Sequence, residues 1–231
     1  MMKLMQFPLC PFSRRARMTL DEYNIRYELL EEHPWAWNDE FLALNPAANL
    51  PVLVESKNVV LCGVVPIAEY FDETTVKTSS SHVSLFRGTA IDRAEVRRLI
   101  EWFDGKFNRE VTELIVSEKI YKRYITVAEG GGSPDTQIIR VGKQNLNYHL
   151  SYIDHLLINR DWLAGEYMSQ ADFAAAAHLS CLDYTSDVPW KDYLQVKEWY
   201  VRIKSRPSFR GILADKMLGY HPAPHYADLD F

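Results

Sequence analysis

The sequence predicts two folded units in tandem, a small α/β domain followed by an all-α bundle. Three observations carry this prediction. Within residues 1–76, strand-like and helix-like stretches follow the order β-α-β-α-β-β-α, a pattern that suits a mixed sheet covered by helices. From residue 92 to 231, apolar residues recur with helical spacing. Between the two, residues 77–91 are rich in Ser and Thr and have no period, so they read as a linker.

Taken in order, KLMQF (3–7) and RYELL (26–30) are short strands, and SRRARMTLDEYNI between them places Ala16, Leu20 and Tyr23 at helical spacing. After HPWAWNDEFLALNP, the runs PVLV and VVLC flank a polar hairpin connection, Glu55–Asn58. PIAEYF then opens a helix, with Pro66 where a missing N–H costs little. Beyond the linker, Val96, Leu99, Ile100, Phe103 and Phe107 form one apolar stripe, and Leu146, Leu150, Ile153 and Leu157 form another. The segment VAEGGGSPDTQ separates them as a loop. In SQADFAAAAHLSCLDY, Ser169 precedes Asp172 at the spacing of a reciprocal N-cap, and the alanines that follow allow close helix packing. DYLQVKEWYVRIKSRPSF is a further helix with Val196, Trp199, Tyr200 and Ile203 on one side, ended at Pro207. Pro222 and Pro224 keep the last stretch, 219–231, from being helical. That tail is predicted to be extended, with Tyr226, Leu229 and Phe231 docked on the body or on a partner.

Composition narrows the function classes. With 231 residues, 47% hydrophobic and 25% charged, the chain has a globular profile. A net charge of −5 argues against nucleic-acid binding, which needs a basic face. The arginines of DRAEVRRLIEW alternate with Asp92, Glu95 and Glu101 and read as a solvated helix face. No apolar run reaches the length of a bilayer span, and MMKLMQFP lacks the pattern of a signal peptide, so a cytoplasmic location without membrane insertion is expected. Cys10, Cys62 and Cys181 are odd in number and far apart, which suggests reduced thiols rather than a disulfide framework or a metal site.

Three motifs, LNPAANLPVLV, SQADF and RIKSRPSF, in this order and on this pattern of elements, resemble the cytosolic glutathione transferase superfamily. The resemblance implies a thioredoxin-like N-terminal domain, a C-terminal helical bundle and a homodimer. It also implies a cis peptide before Pro51, with Leu50 offering backbone groups to a peptide ligand. Cys10-Pro11-Phe12-Ser13 falls where the superfamily places its catalytic Ser or Cys and is similar to the omega-class and glutaredoxin arrangement. A thiol at a helix N-terminus is stabilised as thiolate and can titrate below the free value of about 8.5. Arg14 and Arg15 would add to that, and a reactive Cys10 is the favoured expectation. The competing one is a small inert residue packed under the helix. Ser13 in place of a second cysteine rules out an internal dithiol, so redox chemistry would run through glutathione. Ser13 itself reads as a helix-start hydroxyl before it reads as a nucleophile.

The superfamily anchors glutathione just after the fourth strand with an acidic residue or Gln followed by Ser, and here Gly63 and Val64 stand at those positions. Losing two hydrogen bonds of about 1–2 kcal/mol each weakens binding by roughly two powers of ten. A weakened glutathione site and no required cofactor are therefore expected. The altered LCGVVPI segment, the Gly-rich loop and the tail HYADLDF are similar to a divergent alphaproteobacterial branch of the superfamily, the FzlA-like proteins, which bind filaments of the tubulin-like division protein FtsZ. Trp37, Asp228 and Asp230 are the candidate partner contacts. The leading expectation is thus a non-catalytic, homodimeric binder of FtsZ filaments. The alternatives are a Cys-type glutathione transferase or thiol transferase built on Cys10, and a small-molecule carrier using the cleft between the domains.

Overall fold

Strands β1 (Met2–Gln6) and β2 (Tyr27–Glu31) pair in parallel because helix α1 (Pro11–Glu22) carries the chain back across one face of the sheet. The computed structural model describes residues 1–56, 59–78, 82–229 and 231. After the short α2 (Asp39–Leu44), strand β3 (Val52–Ser56) joins β1 antiparallel and β4 (Val59–Cys62) joins β3, giving the order β2-β1-β3-β4. Leu4, Val52 and Leu53 are fully buried, the last two on opposite faces of the sheet, which is covered on both sides. Lys57 and Asn58 of the predicted hairpin connection lie outside the described residues.

Helix α3 (Val64–Thr78) starts two residues before PIAEYF, so Pro66 lies within its first turn. It also runs into the segment expected to be linker, since Phe71 and Val76 continue its packed face. Ser79–Ser81 are outside the described residues. The remainder of the linker is tied down by Asp72, which accepts hydrogen bonds from Tyr23 Oη (2.5 Å), Ser84 Oγ (2.8 Å) and the Leu85 N–H (2.7 Å).

The helical domain begins with α4 (Ala90–Glu101), opened by a reciprocal cap between Thr89 and Asp92. It continues without a break into a π-helical stretch (Trp102–Thr112) and then α5 (Glu113–Lys119). Its predicted apolar stripe is buried throughout, and the stripe extends to Val111 and Ile115. Helix α6 (Thr136–Leu157) packs against this long rod. Helix α7 (Gln170–Tyr184) is buried on every side, starts with the Ser169–Asp172 cap, and packs against α1 of the first domain, where Gln170 and Ser180 meet its side chains. Helices α8 (Leu194–Lys204) and α9 (Arg210–Leu213) close the domain.

Two loops are more ordered than their composition suggests. In the Gly-rich segment, the Gly131 N–H reaches Thr126 O at 2.9 Å, and a Cβ on Gly131 would sit 1.9 Å from Ile125 O. The C-terminal segment is turned rather than extended. The Ala223 N–H bonds Tyr184 O (2.9 Å), the Tyr226 N–H bonds Ala223 O (2.8 Å), and the Tyr226 ring is buried. Phe231 packs on Trp190 (5.3 Å) and stacks on His225 (5.1 Å), while Leu229 faces outward. The two prolines stop a helix but leave turns open, and the buried tyrosine sets the path. Among the described residues, no helix is long and apolar enough to cross a membrane.

Candidate functional site

Helix α1 positions the first candidate residue. Cys10 is its N-cap, held by hydrogen bonds from its N–H to Phe7 O and from the Arg14 N–H to its own carbonyl, each 3.0 Å, and Pro11 follows as the first helical residue. The thiol is half-buried, and loss of hydration pushes its pKa up, against the opposing pull of hydrogen bonds from Ser13 and Phe12 and of the Arg14 charge. The expected lowering is therefore reversed. Ser13 is fully buried, where its Oγ accepts from the Phe7 N–H at 3.4 Å.

Arg14 and Arg15 turn away from Cys10, into the boundary between the domains. Arg14 donates to Pro8 O (2.6 Å) and Ser180 Oγ (2.9 Å). Arg15 donates to Gln170 Oε1 (2.9 Å) and Asp104 Oδ2 (2.6 Å), and Arg17 donates to both carboxylate oxygens of Asp215 (2.9 and 2.8 Å).

Cys10 opens onto a cleft of about 380 Å³ between the domains. One wall comes from Phe7, Cys10, Phe12, Trp35 and Leu50, and the other from Asn108, Thr112, Glu113, Ser117 and Tyr121. The π-helical stretch supplies Asn108 and Thr112, in keeping with the frequent use of such turns at functional sites. The Leu50–Pro51 peptide is cis, and among the described residues nothing engages the N–H or C=O of Leu50. Gly63, at φ +88°, donates its N–H to Pro51 O at 2.8 Å, and Val64 is buried at the start of α3. Neither lines the cleft, so the structure brings Cys10 and Leu50 together and leaves Gly63 and Val64 to one side.

The two neighbouring tryptophans have different fates. Trp35 joins a ring cluster with Phe7 (5.2 Å), Tyr121 (5.3 Å) and His33 (5.2 Å). Trp37, in the left-handed region at φ 50°, is 67% exposed. Asp228 is exposed on the docked tail, and Asp230 lies outside the described residues. Beneath the cleft, Thr112 Oγ lies 2.9 Å from His178 Nδ1, and His178 Nε2 lies 3.7 Å from Asp104. Burial pushes the His178 pKa down, against the opposing pull of Asp104, and so favours the neutral ring. Sequence reasoning missed this group and the arginine contacts, since the partners are remote along the chain. Among the described residues, no group of three or more His, Cys, Asp or Glu side chains is placed to hold a metal ion.

Family models of the glutathione S-transferase N-terminal and C-terminal domains match residues 9–74 and 135–207. FtsZ-localized protein A of Caulobacter vibrioides is 46% identical over 99% of this chain and 97% of its own length. Among solved structures, a glutathione S-transferase from Sinorhizobium meliloti is similar at a TM-score of 0.96 and 45% identity, covering 100% of both chains. FzlA from C. crescentus is similar at a TM-score of 0.92 and 45% identity, covering 100% of this chain and 99% of the other.

Proposed function

This chain belongs to the glutathione S-transferase superfamily, in its FzlA-like branch, and from that premise we propose that it binds FtsZ filaments in the cytoplasm, as a homodimer with little or no transferase activity. The observation that carries the reading is the 46% identity to FtsZ-localized protein A over 99% of this chain and 97% of that protein. Two features of the site support the non-catalytic half. The Cys10 thiol is pushed toward its protonated form, and Gly63 and Val64 bring no polar side chain where the superfamily uses an acidic residue or Gln followed by a serine. A dimer with one filament site per subunit would bridge or bend neighbouring filaments and gain avidity from bivalency.

The test is co-sedimentation of the purified protein with GTP-assembled FtsZ, beside a sedimentation-velocity run for the dimer. The protein should pellet with the polymer, and Trp37→Ala and Asp228→Lys should each lower the pelleted fraction without lowering the melting temperature. Absence from the pellet at low salt overturns the reading. A second reading, a Cys-type glutathione transferase or thiol transferase, is favoured by one observation: Cys10 and the unengaged backbone of Leu50 share a cleft. It requires micromolar binding in a calorimetric titration of glutathione and turnover that Cys10→Ser abolishes.

A further inference from the structure

The cleft has a one-sided polarity. Glu113 is the charged residue in its lining, and no Lys, Arg or His contributes to it. Glu113 is exposed, and among the described residues no ion pair or hydrogen bond engages its carboxylate. The three arginines of α1 that could have neutralised it are all committed to Asp104, Asp215, Ser180 and Gln170.

The hydroxyl groups of the helical wall add to this bias. Tyr121 Oη donates its proton to Leu9 O at 3.2 Å, so toward the cleft it has only lone pairs. Thr112 Oγ is 2.9 Å from His178 Nδ1, and a ring proton on Nε2 would face the Asp104 carboxylate at 3.7 Å. In that tautomer Nδ1 accepts the Thr112 proton, and the lone pairs left on the buried Thr112 hydroxyl make it an acceptor at the floor of the cleft. On the facing wall, Phe7 and Trp35 pack at 5.2 Å and reach the Tyr121 ring of the helical wall at 5.6 and 5.3 Å, and the faces of such rings attract cations.

We propose that this cleft is a binding site for a small organic cation, an ammonium or guanidinium group on a compact apolar body. The cation pairs with Glu113 beside the face of Trp35 and donates hydrogen bonds to Thr112 and Tyr121. The apolar body lies against Phe7 and Phe12. A volume of about 380 Å³ limits the ligand to one ring or a short chain, near the low end of small-molecule pockets. Glutathione, with two carboxylates to one ammonium, has the wrong sign of charge for this lining. The assignment is independent of filament binding, and either can fail without the other.

The experiment is calorimetric titration of the full-length protein with phenethylamine, with 3-phenylpropionate as an anion of the same shape, and with arginine amide as a cation on a peptide-like backbone. Phenethylamine should bind at least about tenfold more tightly than 3-phenylpropionate, and Glu113→Gln should weaken it about tenfold with the melting temperature unchanged, as expected for loss of the cation's charge partner. Trp35→Leu should weaken the amine while leaving its preference over the anion. No saturation by phenethylamine at about 10 mM, beyond the millimolar range of useful affinity, overturns the proposal. So does equal affinity for the anion, or an unchanged affinity in Glu113→Gln. Tighter binding of arginine amide than of phenethylamine would assign the site to a partner's side chain and overturn the small-molecule assignment.

Discussion

At Cys10 two electrostatic influences oppose each other, the unpaired N–H groups at the start of α1 and the removal of the thiol from water, and the second is larger. The consequence is measurable. Alkylation of Cys10 by iodoacetamide should keep accelerating as pH rises past the ordinary thiol value of about 8.5, and a rate plateau below pH 8 would contradict the structure. Ser13→Ala should move the profile higher still, because the Ser13 contacts are among those that favour the thiolate. His178 makes a second residue-level case, with a folded-state pKa depressed by burial. A depressed pKa contributes stability above the unfolded value of about 6.5 and loses it as pH falls through the folded value. Unfolding free energy should therefore fall on acidification below pH 6.5, more steeply in the wild type than in His178→Gln, by up to about 1.4 kcal/mol per pH unit. Parallel slopes in urea titrations at pH 5 and 7 would place the ring in water.

Individual elements divide into those whose cause is local and those whose cause is not. The start of α7 is local. Ser169 Oγ accepts from the Ala171 N–H, while Asp172 accepts from the Ser169 N–H at 2.8 Å, and both residues are in one short motif that is legible in the sequence. Ser169→Ala should cost about 1–2 kcal/mol in chemical denaturation, and a change of a few tenths would mean that tertiary packing alone holds the helix start. The strands, the apolar stripes of α4 and α6 and the position of Cys10 at a helix start are legible for the same reason. The π-helical stretch is not, because spacing that suits an α-helix also suits a rod whose turns widen where Phe103, Phe107 and Val111 meet α6 and α7. The split between Trp35 and Trp37 is likewise invisible, since Tyr121 and Phe7, far away along the chain, select the first as the cleft wall. In the Gly-rich loop, composition identified a loop but not its rigidity. Gly131→Ala would press a methyl group onto Ile125 O and should destabilise the protein by about 2 kcal/mol or more.

For the molecule as a whole, the cleft exists only while the two domains keep their mutual position, and α1 is the element that fixes it. Arg14, Arg15 and Arg17 leave one helix and reach Ser180, Gln170, Asp104, Gly211 and Asp215 in the helical domain, while Arg14 also holds Pro8 O in its own domain. In SRRAR, Arg14 and Arg15 read as a thiol-activating pair, and only the fold shows the three arginines as buried bridges. Removing one partner of a buried ion pair strands the other, at a cost of about 3–5 kcal/mol, which is a large share of a net stability of about 5–15 kcal/mol. Arg15→Ala should therefore lower stability by that amount and lower it for both domains together. Replacing the pair with apolar side chains of similar size, Arg15→Met with Asp104→Leu, should recover most of the loss, because the stranded charge is gone. Urea unfolding followed by tryptophan fluorescence and by far-ultraviolet circular dichroism should give one coincident transition in the wild type and in the double variant. Two separated transitions in the wild type would mean that the domains fold independently and that the arginines orient the cleft without coupling its walls.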